Sequence, residues 1–299
     1  MIDTNGQSRL DRVPVTTTVL KLSCPDRVGL LSRITTFFAH HGGNLLEVHQ
    51  FADPIGSWFF TRIAIETETL ALELPALRKA FAPLANDLEA EWSLRTNAEP
   101  QRMVVLVSKT GHCMADLFWR WRSKELPVEI PLVISNHEDF REMVEREGVE
   151  FRHIPIPDSG DRDEAFSRML ETCEAANPDL IVTARYMRVL PDFFCKAFSG
   201  RLINIHHSFL PAFEGANPYR RAYDRGVKLI GATCHYVTPD LDAGPIIEQV
   251  VERVEHFHLP EDLLRLGRDC ERLALSRGIR YHVTDRVLIH GNRTVVFRD

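Results

Sequence analysis

The hydrophobic pattern changes its grammar near residue 100. Before that point short stretches alternate between apolar and polar positions. Thr17 to Ser23 reads as a strand, Leu45 to Ala52 as a second, and Trp58 to Ile65, rich in aromatic and β-branched residues, as a third. Asp26 is a suitable N-cap for a helix starting near Arg27. Val28, Leu31, Ile34 and Phe38 recur in it near helical spacing, and Gly42-Gly43 ends it. A helix over Leu74 to Leu84 and a strand over Leu88 to Leu94 complete a βαββαβ series, the ferredoxin-like order. The pattern predicts a small α+β domain over residues 15–95 and a linker at 96–101, where Pro100 sits and apolar periodicity stops.

Residues 102–299 follow a different rule. Met103 to Val107 is a continuous apolar run, as expected of a strand buried on both faces. Similar runs are Ile130 to Ile134, Leu180 to Thr183, Leu202 to Ile205 and Leu229 to Val237. Helical patterns fall between them at 113–123, 138–147, 162–176, 191–198 and 216–225. Strands alternating with helices predict a doubly wound, mainly parallel sheet of the α/β class. Pro260 to Ser276 reads as a closing helix, and Val287 to Phe297 as a hairpin turning at Gly291-Asn292.

Composition narrows the partners more than the fold. With 44% hydrophobic and 26% charged residues, the 299-residue chain has ample apolar material for two cores. The net charge of −6 and the lack of a basic patch argue against nucleic acid. Met1 to Asp11 is polar, unlike a signal peptide, and no apolar stretch is long enough to span a bilayer. The six cysteines form no Cys-x-x-Cys pair, which fits a reducing compartment and disfavours a zinc ribbon. The expectation is a cytoplasmic protein without a nucleic-acid or membrane partner.

Ligands in open α/β sheets collect at the carboxyl ends of strands, so polar residues there matter most. Leu202 to His207 is an apolar strand that releases polar groups as it ends. Asn204 and His206, two apart, share a side while the chain stays extended. A second strand ends in Cys234-His235-Tyr236-Val237, and its loop carries Asp240, Asp242 and Gly244. Each residue has a plainer reading. Asn204 could bond nearby backbone, His206 and His207 could be core or surface histidines, and Asp242 could be a turn residue. Together they offer an amide donor, a titratable imidazole and a carboxylate. A metal site would need His206, His235 and Asp242, or His206, His207 and Asp242. Adjacent histidines on a strand point to opposite sides, which disfavours the second set, and no helical His-x-x-x-His spacing supports the first. No metal is expected.

Asn204 to Pro211, followed by Asp242-Ala243-Gly244-Pro245-Ile246-Ile247, resembles the signature of folate-dependent formyltransferases. The resemblance implies that Asn204, His206 and Asp242 form the catalytic set, with His235 in support. Ala184 to Leu190 resembles the family segment whose backbone holds the pterin ring, which assigns Met187, Arg188, Val189 and Leu190, with Gly244, to folate binding. Ser23 to Leu31 with Gly42-Gly43-Asn44-Leu45 resembles an ACT regulatory domain, which implies an amino-acid effector, glycine or methionine, near Asp26, Gly29 and Asn44, and a homo-oligomer. An ACT domain ahead of a formyltransferase-like domain is the arrangement of the formyltetrahydrofolate deformylase family. Phe213 to Tyr219 and Lys228 to Thr233 also resemble it, with Cys234 where a small alanine is expected.

The implied activity is hydrolysis of 10-formyltetrahydrofolate to formate and tetrahydrofolate, with no tightly bound cofactor. Asn204 would hold the oxyanion, His206 would move protons, and Asp242 would orient the imidazole. Ser108 to Cys113, after the first strand of the second domain, has one glycine and is a poor phosphate cradle. No further basic module follows the sheet, so water is the expected acceptor. Transfer to an unidentified amine, or a non-catalytic folate- or amino-acid-binding regulator, are the alternatives.

Overall fold

The computed structural model describes residues 15–158, 160–210 and 218–298. The segment Met1 to Asp11 and most of the Phe213 to Tyr219 motif lie outside them. The chain divides into two compact units. One comprises the chain up to Glu99 with Thr284–Leu288 and Val295–Asp299, the other Pro100–Val283 with Ile289–Thr294.

In the first unit β1 (Thr17–Pro25), α1 (Leu30–His40), β2 (Leu45–Asp53), β3 (Trp58–Glu66), α2 (Leu74–Asp87) and β4 (Glu91–Thr96) follow the expected βαββαβ order. The sheet order β2-β3-β1-β4, antiparallel throughout, is ferredoxin-like. Leu20, Leu22 and Cys24 of β1 alternate onto the face that packs with Leu30, Ile34 and Phe38 of α1 and Leu77, Phe81 and Ala85 of α2.

Two expectations fail here. The first helix starts at Leu30, not near Arg27. Its N-cap is Gly29, held at φ 89° with no side-chain cap, so Asp26 does not cap it. The turn through Gly29 restarts the helical count, which leaves Val28 wholly exposed and makes Leu30 the first buried position. The second failure concerns the boundary. Residues 284–288 and 295–299 were expected in the second domain but belong to the first unit. Arg62, 5% exposed, donates to the Thr284 carbonyl at 3.3 Å and to Glu47 at 2.8 Å. Lys21 pairs with Asp285 at 3.2 Å.

In the second unit, β5 (Gln101–Val107), β6 (Val128–Ser135), β8 (Leu180–Thr183), β9 (Leu202–His206) and β10 (Leu229–Tyr236) match the apolar runs. Two further strands, β7 (Glu150–His153) and β11 (Ile246–Arg253), were not anticipated. Both are edge strands with few buried positions, so neither shows a continuous apolar run. The sheet order is β11-β10-β9-β8-β5-β6-β7, parallel from β7 to β9 and antiparallel at β10 and β11. Helices α3 (His112–Arg122), α4 (Arg141–Arg146), α5 (Arg162–Ala175), α6 (Asp192–Ala197) and α7 (Pro218–Arg225) fall where expected. The last helix, α8 (Pro260–Val283), runs past its expected end at Ser276. Gly278 does not stop it. A Cβ there would lie 2.3 Å from the Cys234 sulfur, so the glycine makes room for the cysteine that replaces the expected alanine. The closing hairpin, β12 (Val287–His290) and β13 (Arg293–Val296), is present.

Candidate active site

Register across three neighbouring strands builds the site. Thr183 of β8 lies opposite Asn204 of β9, and Asn204 opposite His235 of β10. Residues in one row of a sheet share a face, so their side chains can link in sequence. The Thr183 hydroxyl donates to Asn204 Oδ1 at 2.6 Å, and Asn204 Nδ2 donates to His235 Nε2 at 3.1 Å. His235 Nδ1 in turn donates to the Tyr236 carbonyl at 2.9 Å. That bond selects the tautomer whose Nε2 is an acceptor. Burial depresses the His235 pKa more than the Tyr236 carbonyl and Asp242 raise it, so the ring stays neutral. The amide of Asn204 is thereby oriented from both ends, with one N–H left over.

His206 ends β9 two residues on, and Asp242 comes from the loop after β10, at φ 53°. His206 Nδ1 meets Asp242 Oδ2 at 3.1 Å, and Asp242 Oδ1 lies 3.7 Å from His235 Nε2. Burial pushes the Asp242 carboxyl up, but the His206 hydrogen bond and the surrounding imidazoles outweigh it and hold the pKa below the usual value. His206 Nε2 is buried and has no hydrogen-bond partner. The turn that follows is tied down by Thr233, whose hydroxyl donates to the Ser208 carbonyl and accepts the Leu210 N–H.

Asn204, His206, His235 and Asp242 line one cavity of about 730 Å³, with Met187, Arg188, Val189 and Leu190 on its wall. The Met187 N–H is already bonded to Ser108 Oγ at 2.9 Å. Among the described residues the N–H groups of Arg188, Val189 and Leu190 make no hydrogen bond and remain available to a ligand. Arg188 is held by Asp158 at 2.7 Å. Gly244 is not on the cavity wall. A Cβ there would lie 1.8 Å from the Tyr236 carbonyl oxygen, so close backbone approach demands the glycine. In the first unit Asn44 donates to Glu66 at 2.8 Å, Gly29 opens α1, and the Asp26 N–H bonds the Ser57 carbonyl.

The expectation that His206 and His207 point apart is wrong. β9 ends at His206, so strand alternation no longer governs the next residue, and both rings line the cavity. Sequence reasoning also missed a buried network behind them. Glu271, 1% exposed, receives His112 Nε2 at 2.7 Å and the Tyr219 hydroxyl at 2.6 Å, and Arg185 Nε lies 3.3 Å away. A carboxylate among the buried positions of α8, beside Gly267, Cys270 and Ala274, was the available signal. His112, Cys113 and Glu271 are also the group of possible metal-ligand atoms that gathers among the described residues. Burial raises the Cys113 thiol well above its ordinary value, and Arg185 and Tyr219 already share the carboxylate, so this group fits a metal poorly.

An amide donor, an imidazole with a free nitrogen and a carboxylate behind it form a constellation suited to attack on a carbonyl. Comparison with known proteins gives that chemistry a family. Residues 18–82 match the ACT domain model and 101–279 the formyl transferase model. A formyltetrahydrofolate deformylase of Bacillus subtilis is 47% identical over 279 residues, covering 93% of each chain. The crystal structure of a formyltetrahydrofolate deformylase from Pseudomonas syringae has a TM-score of 0.95 at 45% identity, covering 97% of each chain. A glycinamide ribonucleotide transformylase from Symbiobacterium toebii shares 31% identity at a TM-score of 0.64, covering 69% of this chain and 98% of that one. The chain therefore belongs to the formyltetrahydrofolate deformylase family, with an ACT domain preceding a formyl transferase domain.

Proposed function

We propose that the chain hydrolyses 10-formyltetrahydrofolate to formate and tetrahydrofolate. The observation that carries this reading is the Thr183–Asn204–His235 row meeting the His206–Asp242 pair on one cavity wall. The pterin would lie along residues 187–190, where unpaired backbone N–H groups sit beside the apolar Val189, Leu190 and Val237. Water attacks the formyl carbon while His206 Nε2 takes its proton. The carbonyl electron pair moves to oxygen, where the remaining Asn204 N–H meets it. Asp242 stabilises the imidazolium. The carbonyl then reforms, the C–N bond breaks, and His206 returns the proton to the leaving nitrogen. Water as acceptor is supported at the start of α3. There Gly111 packs so closely under Phe140 that a Cβ would lie 2.5 Å from its ring, and His112 turns to Glu271, leaving a poor cradle for an anionic acceptor.

The finer parts of the reading concern regulation and setting. A small amino acid, glycine or methionine, binds the first unit near Asp26, Gly29 and Asn44 and alters turnover. A homo-oligomer forms through the edge strand β2, where Leu46, Val48 and Phe51 are exposed. No tightly bound cofactor is used. The protein acts in the cytoplasm, where its six buried, unpaired thiols stay reduced.

The decisive experiment incubates the protein with 10-formyltetrahydrofolate and no amine. Formate and tetrahydrofolate should appear in equal amounts. Asn204→Ala and His206→Ala should each lower kcat by about 10²- to 10³-fold with tetrahydrofolate affinity nearly unchanged. Formate release that depends on an added amine would mark a transferase, and binding without turnover a regulator.

A further inference from the structure

The cavity holds a second imidazole that this mechanism leaves idle. The His207 ring stacks on His206 with centroids 5.0 Å and planes 22° apart, and Tyr219 flanks it at 6.5 Å. It lines the same cavity, and among the described residues nothing hydrogen-bonds to either of its ring nitrogens. Burial, the Arg185 guanidinium and His206 together push its pKa down to about 4. The two adjacent rings thus face opposite environments, His206 a carboxylate and His207 a fixed cation. Glu271, with His112 and Tyr219 on the same carboxylate, anchors that cation. A buried imidazole held neutral beside the ring that moves protons is free for a different chemical task. A neutral imidazole keeps one lone pair, and a desolvated polar group without a protein partner is one that water satisfies.

We infer that His207 is a positioning residue for the hydrolytic water, accepting a hydrogen bond from the molecule that attacks the formyl carbon. Of that water's two hydrogens, one points at the His207 lone pair and stays on oxygen through the attack. The other passes to His206 Nε2 as the O–C bond forms. Cleavage of the C–N bond returns it through His206 to the leaving nitrogen, and the product acid ionises to formate. A ring that only packed against His206 would need no free lone pair on the cavity wall.

This rests on the hydrolytic reading above, and the test separates the two. His207→Phe keeps a flat ring for stacking and removes the acceptor, whereas His207→Gln restores one. The readouts are acceptor-free formate release, tetrahydrofolate affinity, and formohydroxamate production with added hydroxylamine, a nucleophile that does not depend on a held water. For His207→Phe, formate release should fall by about 10- to 100-fold and tetrahydrofolate affinity should stay within about twofold. Hydroxylamine should accelerate its turnover more than that of the wild type. His207→Gln should recover most of the lost rate. His207→Leu takes the place of His207→Phe if circular dichroism shows the latter misfolded.

Formate release unchanged in the apolar variant overturns the role of His207 and leaves hydrolysis standing. So does a loss shared equally by formate release and hydroxylamine turnover, or one that follows folate affinity. A wild type that releases no formate without an amine overturns hydrolysis itself, and the water's holder with it.

Discussion

Thr183→Val removes one hydroxyl from the row that orients Asn204 and keeps the β-branched shape. The residue is 4% exposed. Two interactions fix which way the amide faces. Thr183 donates to Oδ1 at 2.6 Å, and the His235 lone pair accepts from Nδ2 at 3.1 Å. A flipped amide would set its oxygen against that lone pair, because the His235 N–H is committed to the Tyr236 carbonyl. Valine leaves only the second restraint. The net worth of a neutral hydrogen bond is about 0.5–1.5 kcal/mol, and 1.36 kcal/mol is tenfold in rate. The kcat for formate release should therefore fall by about 2- to 12-fold, with KM nearly unchanged, against about 10²- to 10³-fold for Asn204→Ala. The discriminating assay is the double-mutant cycle. Thr183 acts through Asn204, so Thr183→Val should have almost no effect once Asn204 is alanine. An equal loss in both backgrounds would refute the argument, since Thr183 would then act on the reaction independently.

The remaining predictions address charge and packing. Asp242→Asn should cut kcat by roughly 10²-fold or more, and carbon-13 NMR of the wild-type carboxyl should place its midpoint below the ordinary value of about 3.9. Because that pKa is depressed in the native state, the carboxylate stabilises the fold at neutral pH, and the benefit disappears as pH falls through the native value. His207 and His235 act in the same direction: both are depressed histidines, so the unfolded chain takes up their protons first as pH falls below about 6.5. Stability should decline with acidity, the His207 share levelling off below about 4, and His207→Phe should show a smaller decline in urea melts between pH 7 and 4.5. Gly278→Ala should cost about 1–3 kcal/mol by urea denaturation, and Cys234→Ala in the same chain should restore most of it, because the added Cβ meets the Cys234 sulfur. Equal instability of the single and double variants would contradict that packing.

Much of this was legible in the chain because periodicity is a local property. β8 begins and ends where its apolar run does, and Ile34 and Phe38 lie on the buried stripe of α1. Asn204, His206 and Asp242 stood out as polar groups at strand ends, and the structure brings all three to one cavity. Where the reading went wrong, a single turn or a distant segment had intervened. Gly29 moved the start of α1 past Asp26 and Val28, and residues 284–288, expected in the second domain, pair with Lys21 and Arg62 of the first. The end of β9 turned His207 to the same side as His206, against strand alternation.

By itself the sequence determined the two patterns of elements, the residue types that carry the chemistry, and the resemblance that joined them to a family. Only the tertiary structure decided that Thr183 orients Asn204, that Glu271 anchors Arg185 beside His207, and that Gly278 yields space to Cys234. Those pairings depend on which strand lies beside which and in what register, and a hydroxyl, a carboxylate or an absent methyl group acquires its role only from the neighbour that folding brings to it.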